Sequence, residues 1–312
     1  MAAGITDIVA VADSLPDSFI AEVRLADRVA PIMRPLVRNE NLPENQGSTY
    51  EITDLTRSTI VALADGEDLA TAEQITDSSF TVVPTRYGGQ IEYTEEAYRK
   101  FTSRADLSRL VGQILREDML RKEDVDLLTQ LDSFSVALGS AGTALTVGHI
   151  MAAGAAVQGG GQAAGAITSG TQSPLAGPVN GVFSTNQLHT VVKNLALGRQ
   201  ILTTSGASQE GPQPGDIARR ALVEAKVAKL GMVNVYADDN LGKDASDDAK
   251  GGVWKEMAII QVHFMGGVRI RKAPMDDSRE SHEINVFMNK GIGEYRDAAG
   301  REMLFDAAAA TS

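Results

Sequence analysis

The sequence predicts an α+β fold, with strand-like segments towards both ends of the chain and helical segments between them. Three observations carry that reading. Apolar and polar residues alternate through Tyr50–Thr53 and again around Phe80 and Val82, apolar residues recur at helical spacing from Leu107 to Ile114, and the chain returns to strand-like alternation from Val253 onward. A chain of 312 residues can bury a sizeable core, and 43% hydrophobic with 22% charged residues is ordinary globular usage.

The first 46 residues predict an arm. A short amphipathic helix after Asp17 (Phe19, Ile20, Val23, Ala26, Val29) is followed by an extended stretch punctuated by Pro31, Pro35 and Pro43. From Gly47 the pattern turns to β: STYEITDLTRSTIVAL and SSFTVVPTRYGGQIEY, the second running on through Ile91 and Tyr93, predict two long strands of a protruding hairpin. Residues 64–77 between them hold five acids and no base, too little apolar content for a core of their own.

Ser103 to Asp106 has the form of a capping box opening a long helix. Leu107, Leu110, Val111 and Ile114 line one face, and Glu117/Arg121 and Asp118/Lys122 are spaced for i,i+4 pairs on a solvated one. The apolar stripe then moves round to Leu120, Leu127, Leu128, Leu131 and Phe134. A helix of that length, on the order of 45 Å at 1.5 Å per residue, suits a strut that meets different neighbours along its course.

LTVGHIMAAGAAV predicts a second helix, and the glycine-rich stretch that follows predicts a loop. GVFSTNQLHTVVKNL reads as a strand running into a helix capped by Ser184 to Gln187. A further helix is expected from an Asp216 N-cap to a Gly231 C′ residue, before the strand VNVYA, the acidic loop 238–248 and two strand-rich segments.

Charge is uneven. Of the net −12, residues 1–132 carry 24 acids and 13 bases, residues 133–192 carry no Asp, Glu, Lys or Arg, and residues 193–312 carry 17 acids and 16 bases. The acidic balance argues against a phosphate-tracking groove, and 5% aromatic residues against a base-stacking surface. The uncharged middle has 11 glycines between Gly139 and Gly181, and reads either as a flexible loop flanked by core or as a surface covered in an assembly. The absence of cysteine removes disulfides and thiolate sites. The first basic residue is Arg24, so the N-terminus lacks the charged start of a signal peptide, and no apolar run reaches the roughly 18–20 residues of a membrane span.

Catalytic and ligand motifs are not found. His149, His189, His263 and His282 share no metal-ligand spacing and read as structural or surface residues. Asp238, Asp239, Asn240, Gly242, Asp244, Asp247 and Asp248 lack the alternation and late glutamate of a calcium loop, so an exposed loop is expected. Gly159, Gly160, Gly161 and Gly165 do not make a dinucleotide fingerprint. No catalytic, cofactor-binding or metal residue is therefore assigned.

The order of arm, acidic-tipped hairpin, long helix, central α/β region and returning strands resembles a tailed-phage major capsid protein of the Hong Kong 97 type. The segments LVRNENLPENQGSTYEITDL, VVPTRYGGQIEYTEEAY, and ALTVGHIMAAGAAV followed by SPLAGPVNGVFSTNQLHTVV carry the likeness, which is similar to the coat-protein branch of Enquatro-like podophages. The resemblance implies an N-arm over 1–46, an E-loop hairpin over 47–93, a peripheral (P) domain with its spine helix over 94–142 and an axial (A) domain over 143–240. Residues 241–312 would then form a connecting loop and the return to the P domain. It further implies a non-enzymatic shell protein that forms hexamers and pentamers of an icosahedral head. Assembly would take place in the host cytoplasm, with a portal protein and with scaffold or cement proteins. The head would enclose double-stranded DNA without sequence-specific binding, and without cofactor or membrane.

The chain has no lysine before Lys100, so the isopeptide cross-link that the type member makes through an E-loop lysine is not expected here. No long helical extension precedes the arm, and a separate scaffold protein is expected. The tip acids Asp65, Glu67, Asp68, Glu73 and Asp77 face one another's repulsion. Some of the basic run Arg269, Arg271 and Lys272 are expected to receive the tip on a neighbouring subunit. An encapsulin-like cargo compartment is the alternative within the same fold; an enzyme without recognisable motif is the alternative outside it.

Overall fold

The computed structural model describes residues 31–42, 49–55, 76–96, 104–159, 177–193, 228–272 and 280–309. The expected helix after Asp17, the Ser103 cap, the acids Asp65, Glu67, Asp68 and Glu73, the glycine-rich stretch 160–176 and the Asp216 cap lie outside these residues.

Two larger sheets and one ribbon organise the described chain. The strands are β1 (Arg38–Leu42), β2 (Tyr50–Leu55), β3 (Asp77–Val82), β4 (Thr85–Thr94), β5 (Ala137–Gly139) and β6 (Val179–Phe183). They continue with β7 (Ala228–Leu230), β8 (Val233–Ala237), β9 (Asp248–Lys255), β10 (Ile259–Lys272), β11 (Ser281–Glu294) and β12 (Gly300–Asp306). The helices α1 (Arg104–Thr129) and α2 (Val147–Gln158) lie between them in sequence. One sheet has the order β1-β10-β11-β4, the other β5-β12-β9-β6-β8-β7, and β2 pairs with β3 as a separate antiparallel ribbon. The α+β expectation holds.

Helix α1 has 26 residues, about 39 Å of rise. Val111, Leu115 and Met119, at i, i+4 and i+8, are buried against Tyr93 of β4 and Ile284, Val286 and Met288 of β11. Alternate residues of β11 face the helix, as the strand period requires. Further along, Leu127, Leu128, Leu131 and Phe134 leave that sheet and pack with Met33, Leu36, Val37 and Trp254. The shift of stripe expected from the sequence is real, and the turn between the two apolar faces is filled by Glu123 and Asp124, both almost fully buried.

The second hairpin strand is shorter than expected. Strand β3 stops at Val82, Val83 and Pro84 are outside any strand, and β4 pairs with β11 from Thr85 to Thr94. Proline has no N–H to offer a ladder, so the run that reads as one strand is two, in different sheets. The base of the ribbon lies against the four-stranded sheet, with Tyr50, Ile52 and Phe80 packed on Val82, Ile260, Val262 and Phe264. Two glycines of β11 make room for it: a Cβ on Gly291 would come within 2.4 Å of Val82, and one on Gly293 within 2.7 Å of Phe80.

The uncharged middle builds much of the second core. Strand β6 is buried along its whole length between β9 and β8, and α2 packs Ile150, Ala153 and Val157 onto Val179, Phe183, Val233 and Phe305. A central strand covered on both sides has no place for charge, which accounts for that part of the charge-free run. The residues 185–193 are helical, and their start is the expected reciprocal cap: Gln187 N–H donates to Ser184 Oγ, and Ser184 N–H donates to Gln187 Oε1 at 3.1 Å. Gln187 Nε2 also donates to the carbonyls of Ala249 and Phe305, so its amide ties β9 to β12.

One expectation fails for an identifiable reason, and another holds in part. Residues 228–230 form a strand, and Gly231, at φ 62°, opens the two-residue turn between β7 and β8 instead of ending a helix. A left-handed glycine serves both roles, so the local signal could not separate them. The acidic loop 238–248 is only partly exposed: Asp238 and Asp248 are buried, and Asp248 Oδ1 accepts the Gly142 N–H at 2.7 Å.

Candidate functional site

Two surfaces of the four-stranded sheet carry the polar residues of interest. On the helix side, α1 presents Glu123, Asp124 and Asp126, three carboxylates within one turn, each sent to a different partner. Glu123 accepts a hydrogen bond from Gln261 Nε2 and lies 3.3 Å from His263 Nε2 and 3.8 Å from Arg34 Nε. Burial pushes its carboxyl up, but the His263 hydrogen bond and charge, with Arg34 and Gln261, outweigh burial and hold it below the usual carboxylate range.

Asp126 meets Lys122 at 2.6 Å and Lys290 at 2.8 Å, the latter with no solvent exposure. Burial raises Asp126, and the two lysines outweigh it and hold it low. Burial lowers Lys290 against the pull of Asp126 and Glu123, while the Tyr87 ring 4.8 Å from its Nζ offers a π face. Asp124 Oδ1 accepts the backbone N–H groups of Ile32 and Met33, both at 2.9 Å, and Oδ2 accepts Asn240 Nδ2 at 3.0 Å. One carboxylate thus joins residues 32–33, the long helix and the loop after β8.

On the opposite side lie the ribbon and the basic strand. Of the predicted site residues, Asp77 opens β3, exposed and opposite Leu55. Arg269, Arg271 and Lys272 lie in the second half of β10, across from Phe287, Asn285 and Ile284. They do not form one surface. The β10 register shifts between Phe264 and Arg269; before the shift Gln261 and His263 face α1, and after it Val268 does. Strand alternation then puts Lys272 on the helix side and Arg269 and Arg271 on the ribbon side.

Sequence reasoning missed a third member of that face. The Arg86 guanidinium sits 4.7 Å over the Phe287 ring, and Phe287 is the register partner of Arg269. The ribbon is fastened to this sheet by Asp54, whose carboxylate accepts the Tyr295 hydroxyl and meets Arg296 Nη2 at 3.2 Å. Phe80 lies against the Tyr295 ring at 5.6 Å. What this face can do chemically is bind negative charge, and the sequence joining β2 to β3 is acidic.

The histidines are dispersed as expected: His263 beside Glu123, His282 at 2.5 Å from Glu95, His149 stacked on Phe305, and His189 exposed. Among the described residues no group of three His, Asp or Glu converges as a metal site, and no helix is long and apolar enough to cross a membrane.

No protein-family model matches the chain, and no curated protein matches it by sequence. Solved structures match it end to end. The head of Helicobacter pylori bacteriophage KHP40 is 13% identical, covers 95% of this chain and 97% of its own, and superposes with a TM-score of 0.69. The capsid of cyanophage P-SCSP1u is 14% identical over 96% of this chain and 95% of its own, TM-score 0.64. The SrpI encapsulin of Synechococcus elongatus is 10% identical over 97% of both chains, TM-score 0.61. The chain has the fold of tailed-phage capsid proteins, the Hong Kong 97-type α+β fold.

Proposed function

We propose that the chain is the structural subunit of a tailed-phage head, and that its copies form hexamers and pentamers closing an icosahedral shell around double-stranded DNA. The observation that carries this is the match along the full length of both chains to a phage head protein, with 95% and 97% covered. In this reading the ribbon β2–β3 is the stem of the E-loop, α1 with the four-stranded sheet is the P domain, and the six-stranded sheet with α2 is the A domain. Portal, scaffold and cement proteins are its partners in the virion, with assembly in the host cytoplasm. The net charge of −12 suits a wall that confines DNA without gripping it.

The contact between neighbours is proposed to involve the acidic tip, Asp65, Glu67, Asp68, Glu73 and Asp77, and the basic strand of the next copy. Charge complementarity and the shared face of Arg86, Arg269 and Arg271 favour those arginines as receivers; Lys272, on the other face of the strand, fits the part less well. Each exposed pair contributes about 0–1 kcal/mol, and repetition over a shell multiplies the effect on register.

The encapsulin likeness supports a second reading, a cargo compartment with the same shell. Electron microscopy of the purified chain tests the shell, for which closed particles of uniform diameter are expected and a solely monomeric protein would overturn the reading. Extraction of particles from their native source separates the two: double-stranded DNA supports the head, and a protein cargo in its place supports the compartment.

A further inference from the structure

The carboxyl groups of Asp124 and Asp238 form the one contact in the described junction that lacks a donor. Asp238 is fully buried; its Oδ1 accepts the Asn240 N–H at 2.8 Å, while its buried Oδ2 receives no N–H or O–H from the described residues. The group within hydrogen-bonding reach of it is Asp124, itself a carboxylate and only 1% exposed. Two buried carboxylates facing each other cannot both hold a charge at low cost, and a proton between them supplies the missing donor.

We propose that Asp124 and Asp238 share one proton, and that this proton is a latch holding residues 31–33, helix α1 and the loop after β8 together. The closed latch is complete: Asp124 keeps the Ile32 and Met33 amides on Oδ1 and the Asn240 amide on Oδ2, and the shared proton joins it to Asp238. When the proton leaves, two adjacent anions are trapped without a cation between them. Opening the junction to water relieves that repulsion and releases the two arm-side amides.

The surrounding charges do not substitute for the proton. On the loop itself Asp239 adds a further negative charge, with its Oδ1 accepting the Thr185 N–H. On α1, Glu123 is engaged by His263 of β10 and by Arg34 of the segment after the arm. Burial first, then Asp124, push the Asp238 carboxyl up to about 7. Closing binds a proton, so the latch is firmest at acid pH and weakens as pH rises towards neutrality.

Hydrogen exchange of the Ile32 and Met33 amides, corrected for the intrinsic rate and measured on the purified full chain from pH 5 to pH 8, tests this. The opening equilibrium should rise about tenfold per pH unit up to about 7 and then level off. In Asp238→Asn the side-chain amide donates permanently, and the profile should be flat. A flat wild-type profile, or the same rise in Asp238→Asn, would overturn the proposal and assign the titration elsewhere, His263 included. If that variant does not fold, infrared spectroscopy of the wild type decides. A protonated-carboxyl band present at pH 6 and lost by pH 8 supports the latch, and its absence at pH 6 overturns it.

Discussion

The two sides of the four-stranded sheet use acids in opposite ways. Beneath α1 every carboxylate named above has a partner inside the chain: Glu123 with His263, Asp126 with two lysines, Asp124 with two backbone amides. On the ribbon side Asp54 is used in this way at the base of the ribbon and Glu40 pairs with Arg38, while the five acids of 64–77 follow one another in sequence with no base among them. The helix side therefore holds the subunit together. The proposed contact between neighbours draws on the other side, where Arg86, Arg269 and Arg271 share a face whose charge is opposite to that of the acids of 64–77.

That contrast can be broken in order of effect. Asp124→Leu should be the most damaging single change, because it leaves one buried and two half-buried donors without their acceptor; a loss of about 3–5 kcal/mol is expected from urea denaturation. Gly291→Val places carbon where Val82 now lies 2.4 Å from a Cβ position. It should cost about 1–3 kcal/mol and raise the susceptibility of the ribbon to limited proteolysis. Lys290→Met removes a buried cation of similar length while Lys122 still pairs with Asp126. Its cost should stay below about 2 kcal/mol, read from the same denaturation curves. The smallest effect on the subunit is expected from Arg269→Glu with Arg271→Glu, which should impair assembly more than it lowers the denaturation midpoint. A midpoint shift as large as that of Asp124→Leu would erase the distinction between the two sides.

The pH response separates the same groups. Glu123 and Asp126 are held low in the folded chain, so their contribution is present above the ordinary carboxylate range near 4 and is lost as pH falls below that range through their lowered folded values. Asp238 is raised, so its contribution is present below that range and lost as pH rises to about 7. Subunit stability should therefore peak at mildly acid pH, and Asp238→Asn should extend the plateau towards the alkaline side in thermal melts.

The sequence showed the elements better than their use of charge. Helix α2, the Ser184–Gln187 cap and the strands β2, β8 and β11 follow from periodicity and turn chemistry, which are local. The buried acids are not legible, because Lys-Glu-Asp-Val-Asp at 122–126 has the composition of a solvated helix face. Burial of Glu123 and Asp124 follows from long-range partners, Gln261 and the amides of 32 and 33, at separations that no window covers. Gly291 and Gly293 likewise look like flexible strand positions until the ribbon is seen lying on them. The basic run was legible as charge, but the register shift in β10 that divides Lys272 from Arg269 and Arg271 was not. Pro84 was visible, and its consequence, the break between β3 and β4, could have been read from the missing N–H alone.

The central claim is that inner carboxylates build the subunit and outer ones join it to its neighbours in a closed shell. A cryo-electron microscopy reconstruction of particles assembled from the purified chain tests it most directly. The account predicts closed shells of uniform diameter in which residues 64–77 of one copy lie against the Arg86, Arg269 and Arg271 face of the next. Failure to form shells, or shells in which that segment contacts only its own chain, would contradict it.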